Sequence, residues 1–160
     1  MSTSPRSASS TSSSGSADRH DVLVIGGGPS GASTAYWLAE AGHDVVFVEK
    51  KRFPREKTCG DGLTPRAVHQ LTEMGLADKL ADYHRYDGLR AVAHGVTLSL
   101  DWPSHPVYPS HGFVVRRSEL DTMVAEHAVK SGATLLQGTE ALQPVLYGGL
   151  VTGAVVKDKE

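Results

Sequence analysis

One cysteine in 160 residues excludes an intramolecular disulfide, and a lone Cys59 fits a reducing, cytoplasmic compartment. No apolar run nears the ~18–20 residues that a bilayer-crossing helix needs, which leaves contact with a membrane surface as the only membrane role expected of the residues present. Neither charge sign dominates. Sixteen Lys and Arg stand against eighteen Asp and Glu, and the net charge of −2 provides no basic field for nucleic acid or anionic lipid. His94, His105 and His111 are irregularly spaced and lack the HxxxH helical pattern, so no metal site is expected. Internal repeats are absent.

What is present begins with a Ser-rich start. Residues 1–20 hold nine serines and almost nothing apolar. Such a segment buries too little surface to offset its ordering entropy and is expected to be disordered. Without an apolar h-region it is not a secretory signal; a short organellar transit peptide is the weaker alternative. The remaining residues, 21–160, are enough for one domain with a core.

The most informative stretch is residues 21–42, DVLVIGGGPSGASTAYWLAEAG. An apolar strand, Val22 to Ile25, runs into Gly26-Gly27-Gly28-Pro29-Ser30-Gly31 and then into a helix with an apolar face at Ala32, Ala35, Leu38 and Ala39. Gly42 suits the helix end. A second apolar run, Val45 to Val48, leads to Glu49, eighteen residues after Gly31. This is a dinucleotide-binding fingerprint in its full strand–turn–helix–strand setting. Gly26 permits the tight turn, Gly28 lets the backbone approach a pyrophosphate, and Gly31 lets helix and strand pack closely. The N–H groups and positive dipole end of the helix face the phosphates. Glu49 can accept hydrogen bonds from ribose hydroxyls and would repel a 2′-phosphate. The fingerprint alone leaves NAD, NADP and FAD open.

Beyond it the pattern predicts a loop over 50–64, a helix from Pro65 closed by Gly75, and a helical turn within 76–83. A hairpin follows at 86–101, turning at His94-Gly95. A Pro-rich loop leads to a short strand at Gly112 to Val115. Ser118 reads as an N-cap with Asp121 as its capping-box partner, opening a helix that runs to Gly132. A strand at 133–137 and a hairpin turning at Gly148-Gly149 complete the chain.

Two further elements narrow the cofactor. Residues Phe53 to Arg66 read F-P-R-x-K-x-C-G-D-G-L-T-P-R, and Arg117 to Asp121 read R-x-x-L-D. With the glycine fingerprint, in this order, the chain resembles the geranylgeranyl reductase family of flavoproteins, which share the fold of p-hydroxybenzoate hydroxylase. The Phe53–Arg66 stretch is similar to that of bacterial members thought to saturate an isoprene unit of a polyprenyl chain, menaquinone reductases included. The resemblance covers residues 21 to about 156. It implies an α/β, Rossmann-like FAD-binding fold, a parallel sheet with a β-meander. It also implies that the family's second half, with a G-D motif and a substrate domain, is missing here, so that the fold is incomplete and the chain is an N-terminal portion. The 86–112 hairpin region would begin the antiparallel substrate-domain sheet, although simple packing of Trp102 and Tyr108 on that hairpin explains those aromatics more economically.

The resemblance further implies FAD as cofactor, NAD(P)H as a candidate electron donor, and a polyprenyl lipid as substrate. The expected cofactor contacts are Gly26, Gly28, Pro29, Ser30, Gly31, Glu49, Lys50, Cys59, Gly60, Arg117 and the backbone of Ala141. By resemblance, the N–H groups of Cys59 and Gly60 lie near the isoalloxazine ring. Arg117 contacts FAD near its ribityl–phosphate part, and Ala141 sits at the adenine edge. Arg116, on the other side of the strand, is expected in solvent. Cys59 is the catalytic candidate; its alternative is a small buried hydrophobe. Two rival functions stand beside the reductase: a flavin monooxygenase or halogenase on the same scaffold, and an inert truncated chain. The purified chain is expected to be yellow with a flavin absorption spectrum; a colourless, aggregation-prone preparation would favour the inert alternative.

Overall fold

The β-branched run at 45–48 and the strand at 22–25 are too short and too apolar to stand alone, and they find each other. In a computed structural model that describes residues 18–159, β1 (Val22–Ile25) pairs in parallel with β2 (Val45–Glu49), in register from Val22 with Val45 to Ile25 with Val48. Most of the Ser-rich tail lies outside the described residues. On its other edge β2 pairs in parallel with β8 (Thr134–Gln137), from Val46 with Thr134 to Glu49 with Gln137. Every residue of β2 is buried, as befits the middle strand of a covered parallel sheet.

Helix α1 (Pro29–Glu40) connects β1 to β2 and covers the sheet with Ala32 and Ala35, both fully buried. Two details show why the turn must be glycine. Gly26 has φ +101°, a left-handed conformation that side chains rarely adopt. A Cβ on Gly31 would lie 1.9 Å from the Gly26 carbonyl oxygen and 3.3 Å from Val24 Cγ1, so the helix could not approach the strand. Helix α4 (Arg117–Lys130) packs beside α1, with the His127 ring stacked on Tyr36 at 4.8 Å. Phe47, Val115, Val124, Met74 and Leu76 are almost wholly buried in the same core.

The middle of the chain forms helices α2 (Pro65–Glu73) and α3 (Ala77–Leu80) and a small antiparallel sheet. In that sheet β7 (Gly112–Val114) lies between β3 (Gly62–Leu63) and β4 (His84–Tyr86). β3 falls inside the segment predicted as loop. Two residues are too few for a period-2 signal, and the strand exists only because β7 offers it an edge. The predicted hairpins are β5 (Gly88–Ala93) with β6 (Val96–Asp101), and β9 (Thr139–Tyr147) with β10 (Leu150–Asp158). His94 and Gly95 both have positive φ, as do Gly148 and Gly149, the two-residue turn that matches strand twist. Both hairpins stand away from the core, with Leu89, Val92, Val96 and Leu98 exposed on one and Leu146, Tyr147 and Leu150 on the other.

The start of α4 departs from the predicted capping box. The N-cap is Arg116, whose side chain makes no cap bond, and Ser118 lies within the helix. The helix's first free N–H, that of Arg117, donates instead to Asp61 Oδ1 at 3.1 Å. A carboxylate from a distant loop does the capping, and Asp121 is freed for a different task. Gly31→Ala should lower stability by about 3 kcal/mol or more, the upper range of overpacking, measured by chemical denaturation; a loss within 0.5 kcal/mol would contradict the close approach.

Candidate functional site

The turn between β1 and α1 opens at the carboxyl end of the parallel strands, where ligands bind in open α/β sheets. Gly28 is the N-cap of α1 and Pro29 its first residue; no side chain caps the helix. The first-turn N–H groups, Ser30 and Gly31 among them, have no partner within the helix and face outward. A Cβ on Gly27 would sit 3.0 Å from Glu49 Cβ and 3.2 Å from the Phe53 ring, so a side chain there would press on both. The Gly27 N–H donates to Glu49 Oε2 at 3.1 Å, and the Lys51 N–H donates to Oε1 at 3.1 Å. Glu49 is thus buried at the strand end with both oxygens held, beside the glycine turn.

Arg55 joins this carboxylate to a second one. One guanidinium nitrogen lies 3.2 Å from Glu49 Oε2 and another 3.1 Å from Asp121 Oδ2. Asp121 is fully buried, and Arg117 reaches it with a two-pronged contact, Nε to Oδ1 at 2.9 Å and a terminal nitrogen to Oδ2 at 3.1 Å. Glu49, Arg55, Asp121 and Arg117 form one alternating, charge-neutral chain. Hydrogen bonding to Asp121 raises the Arg117 pKa, opposed by burial and helped by the nearby Asp121 charge and the Cys59 thiol. Phe53 holds the Arg55 stem, with the guanidinium carbon 5.3 Å from its ring centre; the Phe53 N–H is fixed by Gln137 Oε1 at 2.7 Å.

The structure therefore brings the predicted residues together in two groups. Gly26 to Gly31 and Glu49 form one. Cys59 and Arg117 form the other, with Gly60 between Cys59 and Asp61, whose carboxylate and carbonyl bind Arg117 N–H and Val115 N–H. Cys59 is exposed, not a small buried hydrophobe. Arg116 is in solvent, as expected. Arg117 spends two of its nitrogens on Asp121. Lys50 is exposed at the end of β2 and helps lower the Glu140 pKa, after the Lys159 contact that dominates it; Ala141 is the next residue along β9, paired with Val156. Sequence reasoning missed Arg55, and it misassigned Asp121. The signals available were Arg55's place in the Phe53–Arg66 stretch and an acid four residues after Arg117.

Among the histidines, His105 Nδ1 lies 3.1 Å from the N–H groups of Val107 and Tyr108, and His111 meets the edge of Phe113. No cluster of three potential metal ligands occurs among the described residues. Trp102 packs at 6.2 Å on Tyr86. No helix among them is long and apolar enough to cross a membrane. An open groove of about 400 Å³ bounded by Pro54, Lys79, Tyr83 and Glu119 includes none of the turn glycines, Glu49 or Cys59.

A glycine turn at a helix N-terminus beside a buried strand-end carboxylate defines a nucleotide-binding protein of the Rossmann type. The chain belongs to the FAD binding domain family, which it matches over residues 19–160. It is 46% identical over 125 residues to a menaquinone reductase of Mycobacterium tuberculosis, covering 78% of this chain and 30% of that protein. Among solved structures it resembles a myxobacterial chondrochloren halogenase, an FAD-dependent halogenase, with TM-score 0.80 and 26% identity over 88% of this chain and 33% of that one. It also resembles a geranylgeranyl bacteriochlorophyll reductase-like protein from Thermoplasma acidophilum, with TM-score 0.68 and 27% identity over 88% and 36%. The chain spans about a third of the length of the curated relatives it matches.

The open glycine turn at the start of α1 fits the diphosphate part of FAD. The space over Gly28 is open except for one Arg55 nitrogen, 3.5 Å from where a Cβ would be, and Arg55 Nε is buried without an acceptor. Replacing Asp121 by Asn leaves two guanidinium groups facing one fewer buried charge. This should cost about 3–5 kcal/mol in denaturation experiments; a change below 1 kcal/mol would show that water already screens the cluster.

Proposed function

We propose that this chain forms the FAD-binding part of an oxidoreductase that reduces C=C bonds of a polyprenyl chain, of the menaquinone side-chain or geranylgeranyl type. The observation that carries the reading is the 46% identity with a menaquinone reductase, well above the 26–27% shared with the solved flavoproteins. Because this chain is about a third as long as those relatives, the activity is assigned to a protein that also contains a substrate-binding part.

FAD supplies two-electron hydride chemistry when bound. The chain's own residues position it. N–H groups of the Gly26–Gly31 turn, with Pro29 and Ser30 opening α1, hold the diphosphate, aided by the helix dipole. Glu49 accepts ribose hydroxyls, its geometry already set by the Gly27 and Lys51 N–H groups. Lys50 and the Ala141 backbone border the adenine. The N–H groups of Cys59 and Gly60 contact the flavin end, and Arg117 serves the ribityl–phosphate part with the guanidinium nitrogen that Asp121 leaves free.

An isolated alkene is a poor hydride acceptor, so a proton must arrive with the hydride, from a group close to the alkene in a dry site. Cys59 is this chain's candidate for that proton transfer. NAD(P)H is the proposed electron donor. Contact with a membrane surface follows from a substrate that resides in lipid.

A second reading, monooxygenase or halogenase, draws on the TM-score of 0.80 with the chondrochloren halogenase. Mass analysis separates the two. Reduction adds two hydrogens per saturated bond; NAD(P)H-dependent oxygen consumption with a hydroxylated or halogenated product would establish the rival. In the complete protein Cys59→Ser should reduce turnover by about 100-fold, within the usual range for an acid–base group; full turnover would remove Cys59 from the chemistry.

A further inference from the structure

Arg55 has an unusual position for a residue that merely ties two acids together. Its side chain is nine-tenths buried, and its guanidinium reaches the space over Gly28, 3.5 Å from the position of a Cβ there. Gly28 is the N-cap of α1, so this guanidinium lies at the start of the helix whose first N–H groups no side chain caps. Its Nε has no acceptor although it is buried, which is rare for a donor in a folded protein. Phe53 supports the planar group from one side.

The two carboxylates it bridges each keep other hydrogen bonds. Glu49 retains the N–H groups of Gly27 and Lys51 at 3.1 Å each. Asp121 retains both prongs of Arg117. Removing Arg55 therefore leaves both acids hydrogen-bonded, although Glu49 loses the ion pair that Arg55 gives it. Its own fork is matched in geometry to phosphate oxygens.

We propose that Arg55 is a diphosphate ligand that, on contacting a dinucleotide, gives up its pairing with Glu49 and so releases that carboxylate to the ribose hydroxyls. The proposal rests on the reading of the β1–α1 turn as the FAD diphosphate site. It makes Arg55 a positioning residue for Glu49 and a specificity device. A ligand lacking the diphosphate leaves Arg55 on Glu49 and meets a carboxylate that is already paired. A dinucleotide displaces that pairing itself.

Adenosine, AMP and ADP titrated into the purified chain, followed by nuclear magnetic resonance, test this without FAD and without turnover. In the native sequence affinity should rise steeply from adenosine to ADP. Arg55→Gln should weaken ADP binding by about 10- to 100-fold, the scale of a charge-assisted contact, while adenosine binding stays within about threefold or improves. Arg55→Lys, which keeps the charge but not the fork, should fall between the two, and it serves as the test variant if Arg55→Gln fails to fold by circular dichroism. Equal loss for ADP and adenosine would overturn the proposal in favour of a purely structural arginine, as would unchanged ADP affinity. A native chain that binds no ADP at all would overturn the nucleotide-site reading together with it.

Discussion

The cleft depends on how closely helix α1 can lie against strand β1. Gly31 and Gly26 meet across that seam with no room for a single methyl group. The seam sets where the helix begins, and hence where its unpaired N–H groups and positive dipole end point. It also sets the height of Gly27, whose missing side chain admits the Glu49 carboxylate and whose N–H then holds it. The α1 N-terminus, the Glu49 carboxylate and the sheet that carries both are thus referenced to one backbone contact. The burial of β2 on both faces keeps that reference rigid.

Charge organises the next layer. Two acids and two guanidinium groups alternate from Glu49 at the strand end to Arg117 at the start of α4, and the sequence of charges sums to zero. Burying four ions together is tolerable only because each finds a partner at 2.9–3.2 Å; any one alone would be strongly disfavoured. The same helix start is capped by Asp61, two residues after Cys59. The loop expected at the flavin end and the carboxylate expected at the ribose end are therefore joined through one run of hydrogen bonds. Nothing in a local motif would require that connection.

Legibility in the sequence follows the range of the interactions. The glycine turn, both hairpin turns and the breaks at Gly42, Gly75 and Gly132 could be read because each is decided by residues a few positions apart. Asp121 was misread for the same reason. Ser118 and Asp121 have capping-box spacing, but the arginines on either side of the cluster claim the acid, and Asp61 supplies the cap. Phe53 and Gln137, bonded across 84 residues, left no periodic trace. Nor did β3, whose two residues become a strand only against β7. FAD, rather than dinucleotides in general, was accessible only through likeness to other proteins, since the turn chemistry is shared among them.

One consequence lies in the single thiol. Cys59 is exposed, beside Arg117, and two residues from the carboxylate that caps α4. A fluorophore or spin label aimed at sulfur has one address on this chain. It would report from the junction of loop and helix with no background from elsewhere, so the chain carries its own built-in attachment point for watching that junction move.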